Sequence, residues 1–370
     1  MRVLHFFKTY WPDTFGGIER TIHALAKGGN AHGIQTDVLS LSPDPLINTV
    51  EFDGHTAHKA KQNLELASTG FSLDVFGKFR ELSAQADIVH YHFPWPFMDL
   101  VHFATPPRKP SVVTYHSDIV KQKALGRIYR PLMLYFLSCA DQIVATSPNY
   151  LESSEVLQRF KNKTVVIPLG LDAEDSATPD EAEKERWKAR FPQPFFLFVG
   201  VLRYYKGIHI LLEAAKETTA DVVIVGGGPM EVELKARAAD LGLQNLHFVG
   251  VVSDSAKAAL LELCIALVFP SHLRSEAFGL SLVEAERFGK PMISCEIGTG
   301  TSYVNLDGVT GTVVAPNDPQ QLAKAMNDLA HDIELRQRYG AAAFHRYKEN
   351  FTAARMVAKY VDLYRTLSSR

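Results

Sequence analysis

Residues 265–304 read IALVFPSHLRSEAFGLSLVEAERFGKPMISCEIGTGTSYV, and the order of residue types in them decides the fold. An apolar run over 265–269 is closed by Pro270. A short run bounded by a breaker reads as a strand buried on both faces, the kind found in parallel sheets. A polar loop over 271–277 follows, and then a helix is expected over 280–288. Gly289 sits where a helix C-cap needs a positive φ, and Pro291 blocks continuation. A second apolar run, 292–295, completes a strand–loop–helix–strand unit. Such units build parallel α/β sheets.

The loop–helix junction carries the chemistry. Phe278, Gly279 and Leu280 present backbone N–H groups at a helix N-terminus, an arrangement that attracts an anion such as a phosphate. Gly279 lets the backbone come close to that anion. Glu276 and Glu284 flank the junction. A carboxylate there repels phosphate but accepts paired hydrogen bonds from the vicinal hydroxyls of a ribose or hexose. The bland alternative is a surface helix with two solvated glutamates.

Glu276-x7-Glu284, with Phe278-Gly279 at its third and fourth positions, resembles the paired-glutamate motif of the retaining glycosyltransferases of family 4. The longer stretch SHLRSEAFGLSLVEAERFGKP, followed by GTGTSYV, is similar to bacterial mannosyl- and D-rhamnosyltransferases of lipopolysaccharide O-antigen assembly. The resemblance implies an α/β chain of GT-B type, with two Rossmann-like doubly wound domains facing across a cleft. It places an acceptor-binding domain at 1–172, joined by a returning C-terminal helix within 352–370, and a nucleotide-sugar-binding domain at 173–351.

Composition sets bounds consistent with this. A chain of 370 residues with 46% hydrophobic residues has enough apolar mass for two sizeable cores. A net charge of −2 implies no bulk attraction to nucleic acid. Cys139, Cys264 and Cys295 lie in or beside apolar runs and read as small buried hydrophobes of a reducing compartment. No apolar run reaches 18 residues, and MRVLHFF enters a strand directly without the pattern of a signal peptide, so the expected location is cytoplasmic.

Taken in order, an apolar strand near 3–7 leads through a Pro-containing loop to Gly16-Gly17 and a helix. This is the first βα unit of a doubly wound sheet. GGIER is similar to the GGxER turn of family 4, which implies that Gly16 and Gly17 approach the donor's diphosphate. Residues 43–75 show little periodicity and read as loops with one short strand. The strand that rises into HYHFPWP brings His90, His92 and Trp95 near a carboxyl edge, though ordinary strand-end packing explains each as well. The next strand ends VVTYHSD. The resemblance implies that His116 contacts the donor hexose, with Asp118 as a neighbouring acid able to orient it. The helix expected over 121–139 mixes Lys121, Lys123, Arg127 and Arg130 with apolar residues, and reads either as a cleft-lining helix or as one resting on an anionic membrane.

Residues 173–194 are charged and Pro-bearing, a linker-like shift. A second α/β cycle starts near 195. Its first turn carries Arg203 and Lys206, a fork and a point charge that suit a diphosphate leaving group. Lys206 matches the family pattern, whereas Val201 stands where that pattern has its arginine. GGGPM lacks the third glycine of a dinucleotide fingerprint, which counts against an NAD enzyme. By resemblance Gly228 and Val252 lie on the base and diphosphate side, and Glu284 meets the ribose.

The implied activity is retaining transfer of a hexose, with GDP-mannose as the expected donor and a polyprenyl-diphosphate-linked glycan as the acceptor. His116, Glu276, Arg203 and Lys206 are the expected catalytic set. No metal or other cofactor is expected. Work on a lipid-linked acceptor would place the protein against the inner face of the cytoplasmic membrane. Three alternatives stay open: a GDP-D-rhamnose or UDP-hexose donor, a hydrolysing epimerase of the same fold, and a non-catalytic sugar-nucleotide-binding scaffold.

Overall fold

The computed structural model describes residues 1–44, 49–66, 69–119, 123–172 and 179–369, and it describes the side chains of all of these but 123–127. It divides into two compact units, Met1–Gly170 with Ala353–Arg370, and Leu171–Thr352.

The first unit is built on β1 (Arg2–Phe6), β2 (Gln35–Ser42), β3 (Thr49–Phe52), β4 (His55–Lys61), β5 (Leu64–Leu66), β6 (Thr69–Phe71), β7 (Ile88–Phe93), β8 (Ser111–Tyr115), β9 (Gln142–Ala145) and β10 (Thr164–Val166). Eight of them form one sheet in the order β10-β9-β8-β7-β1-β2-β4-β3. Every neighbouring pair is parallel except β3 with β4. The central strands are buried along their whole length, and the histidines and hydroxyl residues among their apolar ones are buried with them. The strand order reverses between β1 and β7.

The region 43–75 corrects the sequence expectation, because its described part holds four strands. The hairpin β3–β4 turns on Asp53-Gly54, both with positive φ (44° and 77°). Asp-Gly is a strong two-residue hairpin signal. Polar residues on β4 masked the pattern: His55 and Lys59 point inward and are buried through hydrogen bonds. Lys59 donates to the Tyr10 carbonyl and to Ser40, and its ammonium lies 3.0 Å from Asp13. Cys139 is also corrected. It closes the helix Lys123–Cys139 and is exposed, while Cys264 and Cys295 are buried. In that helix Met133, Phe136 and Leu137 face the core, and Ile128 and Tyr135 face solvent. Lys121 and the side chains of Lys123 and Arg127 lie outside the described residues.

The last helix, Ala353–Ser368, belongs to this first unit. It buries Met356, Val357, Tyr360, Val361, Tyr364 and Leu367. Gly28 makes room for it, since a Cβ there would stand 2.7 Å from Val357.

The second unit carries β11 (Phe195–Val199), β12 (Asp221–Val225), β13 (Leu246–Gly250), β14 (Leu267–Phe269), β15 (Met292–Cys295) and β16 (Gly311–Val314). They form one parallel sheet in the order β13-β12-β11-β14-β15-β16, with the order reversing between β11 and β14. The linker-like stretch is in part a helix, Glu181–Arg190. Asp180 caps it, and Trp187 anchors it at 2% exposure. One buried aromatic is enough to dock a helix whose other faces are solvated.

The helix Leu280–Arg287 carries one polar group on its buried face. The Glu286 carboxyl is fully buried and has no hydrogen bond. Burial pushes it from its ordinary 4.5 up to about 9, against the pull of Arg346 at 3.8 Å. A raised carboxyl is protonated in the folded state while it is ionised in the unfolded chain. Stability therefore falls as pH rises from about 5 to about 9. We predict that Glu286→Gln flattens this slope and, above neutral pH, gains about 1–3 kcal/mol in urea unfolding. A slope unchanged by the substitution would show that the carboxyl is ionised in place.

Candidate active site

In an open parallel sheet, ligands bind beyond the carboxyl ends of the strands, at the point where strand order reverses. In the second unit that point lies between the turns that follow β11 and β14.

The turn after β11 runs from Gly200 through a short 3-10 segment, Tyr204–Lys206, to Gly207. Gly207 is left-handed, at φ 71°, and a Cβ there would lie 2.0 Å from the Pro270 carbonyl oxygen. That close approach locks the first turn onto the second. The His272 N–H donates to the Tyr205 carbonyl across the same junction. Lys206 and Glu276 thereby meet. Their charged atoms are 2.5 Å apart, and both side chains are nearly buried. Ser271 donates to the same carboxylate oxygen, and the ammonium also lies 4.7 Å from the centre of the Phe269 ring. The sequence reading gave Lys206 to a diphosphate and Glu276 to a sugar, and the structure brings the two into one ion pair. Arg203 is exposed and makes no ion pair among the described residues.

Gly279 starts the helix Leu280–Arg287 with φ 88°. A Cβ there would press on Leu282 and the Phe269 ring at 3.0 and 3.2 Å. Among the described residues, the N–H groups of Phe278, Gly279 and Leu280 have no hydrogen-bond partner. Ser281 ties this helix start to the end of β11 by donating to the Val199 carbonyl. The GTG segment backs the loop, with the Gly300 N–H donating to Ala277. A Cβ on Gly300 would come within 2.7 Å of the Phe278 ring.

Glu284 does not present a bare carboxylate. Lys257, on the helix Asp254–Leu263, donates to it at 2.6 Å and also sits 3.2 Å from Asp254. Sequence reasoning missed Lys257, because nothing in SDSAKAALL marks that lysine apart from any other helical one. Gly228 brings the turn after β12 against Leu202, where a Cβ would lie 2.7 Å from the Leu202 nitrogen. Val252 follows β13 and is partly exposed.

In the first unit, Gly16 and Gly17 open the helix Gly17–Asn30 and are exposed. Glu19 accepts from Thr9 and Thr14, so it braces the preceding loop. His90, His92 and Trp95 are fully buried, which settles them as packed rather than exposed at an edge. His116 follows β8 and is 6% exposed. Its partner is His92, at 2.9 Å, rather than Asp118. Asp118 instead accepts from Tyr115 and Ser154. Burial pushes the His116 imidazole down to about 3, so it is neutral at physiological pH. Nitrogens of His5, His90 and His92 lie within 4.8 Å of one another, a spacing that would suit a metal ion. Both nitrogens of His90 and both of His92 are already spent in hydrogen bonds to protein groups.

Comparison with known proteins places the chain in a family. Residues 180–346 match the family described as glycosyl transferases group 1, and residues 15–175 match glycosyltransferase family 4. A D-rhamnosyltransferase of Pseudomonas aeruginosa is 56% identical over 95% of this chain and 93% of its own. An O-antigen chain mannosyltransferase of Escherichia coli is 50% identical over 99% of both. Among solved structures, a sucrose-phosphate synthase from Thermosynechococcus elongatus superposes with a TM-score of 0.83 at 20% identity, covering 100% of this chain and 99% of its own. That likeness bears on the fold, which is GT-B.

The ion pair yields a stability test. Lys206→Met leaves the Glu276 carboxylate with Ser271 as its one partner among the described residues, and we expect a loss of about 1–3 kcal/mol in urea unfolding. The double variant Lys206→Met with Glu276→Gln should recover most of that loss. Equal midpoints for the wild type and the single variant would mean that the pair is not formed.

Proposed function

This chain belongs to the group 1 and family 4 glycosyltransferases, and on that premise we propose that it is a retaining mannosyltransferase of O-antigen synthesis that uses GDP-mannose. The observation that carries the reading is the Lys206–Glu276 pair beside the open N–H groups of Phe278–Leu280.

The leaving diphosphate gains negative charge as the sugar departs. Lys206, Arg203 and the helix start supply positive potential for it. Glu276 is released toward the hexose hydroxyls when Lys206 turns to phosphate. Glu284 takes the ribose diol, exchanging Lys257 for two hydroxyl donors. The resemblance assigns the hexose to His116 as well. A neutral imidazole suits that role, since it binds a hydroxyl without adding charge. Gly16, Gly17, Gly228 and Val252 are assigned to nucleotide and diphosphate contacts. Retention follows from front-side attack, in which the leaving diphosphate helps deprotonate the acceptor hydroxyl. The proposed acceptor is a polyprenyl-diphosphate-linked glycan at the inner face of the cytoplasmic membrane. Ile128 and Tyr135, seven residues apart on one exposed face of the helix Lys123–Cys139, support that docking. No helix among the described residues is long and apolar enough to cross a membrane.

One observation favours a second donor. The relative at 56% identity is described as a D-rhamnosyltransferase. D-rhamnose is mannose without its 6-hydroxyl, so the two donors differ at one position. A site that hydrogen-bonds that hydroxyl rejects the deoxy sugar strongly, whereas an apolar site accepts both. The test is thermal melting with GDP-mannose, GDP-D-rhamnose and UDP-hexoses, each with EDTA present. A donor at about 100 times its Kd stabilises the native state by about 2.7 kcal/mol. We expect the largest shift with GDP-mannose and its loss in Lys206→Met. Stabilisation by UDP-hexoses alone would overturn the donor, and no shift with any sugar nucleotide would favour a scaffold. Release of free hexose without an acceptor would favour the epimerase.

A further inference from the structure

Three adjacent strands of the first unit place histidines on one face at their carboxyl ends. His5 on β1 stands in register with His90 on β7, and His92 is two residues further along the same strand. His116 follows the last residue of β8, and its N–H donates to the Phe93 carbonyl. The rings of His5, His92 and His116 form a stacked row, with centroids 5.2 and 5.3 Å apart and planes within 20°. Hydrogen bonds run along the row. His5 Nδ1 meets His92 Nε2 at 2.9 Å, and His92 Nδ1 meets His116 Nε2 at 2.9 Å. His90 lies beside the row and is held separately by the Tyr364 hydroxyl and Thr114. Thr114 in turn pairs with Tyr360, so the returning helix covers this face.

The row is dry and uncharged. His5 and His92 are 1% and 0% exposed. Burial drives both imidazoles far below their ordinary range, and the facing groups that act on them are other histidines, His55, His90 and His116. No carboxylate is among the groups that shift any of the four rings. A neutral imidazole has one N–H and one bare nitrogen. Two linked hydrogen bonds along three neutral rings can then be filled in two ways. Either every proton points toward His116, which then carries its own proton on Nδ1, or every proton points away and Nδ1 is bare. A mixed arrangement leaves a buried pair of facing donors or facing acceptors, at a cost of about 1–3 kcal/mol.

We propose that His92 and His5 are positioning residues for His116, setting through this row which tautomer it presents. Among the described residues Nδ1 of His116 has no hydrogen-bond partner, so it is the nitrogen left to meet a hydroxyl of the sugar. In one arrangement it donates to that hydroxyl, and in the other it accepts. The state of a ring two removed from the ligand thus decides the polarity of the contact, with no charge created in a buried site. This deepens the functional reading above and rests on its assignment of His116 to the donor hexose.

The test uses full-length protein with 15N-labelled histidine. Long-range 15N–1H correlation reports the tautomer of each ring and needs no donor. We expect His5, His92 and His116 to share one neutral tautomer, Nδ1–H on all three or Nε2–H on all three, without titration from about pH 6 to about pH 8. His5→Phe removes the end of the row and should shift the tautomer ratio of His116 while the protein stays folded. His5→Asn should restore the wild-type ratio, because its amide reaches the place of Nδ1 and can donate or accept. In transfer assays His5→Phe should lower kcat about tenfold or more, change the donor Kd less than about twofold, and be rescued by His5→Asn. An unchanged His116 tautomer in His5→Phe overturns the proposal. So does a changed tautomer with unchanged kcat, or an activity loss that only follows the folded fraction. Failure of the wild type to bind any sugar nucleotide would sink the functional reading by itself, and the tautomer measurement would still decide the coupling.

Discussion

In a parallel sheet every strand delivers its last residue to the same edge, and that edge stays open where the strand order reverses. The rest of this structure depends on that constraint. The reversals fall between β1 and β7 in one unit and between β11 and β14 in the other. Most of the candidate residues stand at or beside one of them. His5, His92 and His116 belong to the first reversal and the adjoining strand. Lys206, Glu276 and the Phe278–Leu280 backbone belong to the second. Glycines at 207, 228 and 300 serve this geometry, because each marks a place where a Cβ would strike a neighbouring turn.

Three glutamates within eleven residues of the motif occupy two electrical states. Glu276 is held by Lys206, and Glu284 by Lys257, at 2.5 and 2.6 Å. Glu286 has no hydrogen bond, and burial keeps it protonated. The first two carboxylates are thus neutralised by partners that a ligand can replace. A diphosphate competes for Lys206, and a diol offers Glu284 the donors that Lys257 now supplies. Ion pairs of this kind contribute little net stability because desolvation offsets their attraction. Their value lies in keeping two carboxylates beside an anion site without an uncompensated charge.

The histidines of the first unit solve a different problem. Polar rings in a dry interface are costly unless each nitrogen is used. The structure uses them in two sets, one running to His116 and one closed by Thr114, Tyr360 and Tyr364. The second set fastens the last helix to the sheet. The first ends at the one imidazole that the resemblance ties to substrate.

Much of this was legible in the chain itself. Apolar runs bounded by Pro and Gly gave the central strands of the second unit, FFLFV and LVF, since both of their faces are buried among apolar side chains. The motif Glu276-x7-Glu284 gave the helix start and the family, because local spacing alone sets a helix N-terminus. The hairpin β3–β4 was hidden, since its inward residues are polar and are satisfied by groups far away in sequence. Trp187 docking a charged helix was hidden because a single buried aromatic leaves no apolar periodicity to read. The pairings of Lys206 with Glu276, Lys257 with Glu284 and His92 with His116 were not legible either. Each joins residues 24 to 70 positions apart, and only the packing of strands, turns and helices in the folded unit brings them within hydrogen-bond reach. Sequence by itself determined which residue types stand at which strand ends. Tertiary structure decided which of them share a proton or a charge, because that depends on distances the chain sets only when the sheet closes.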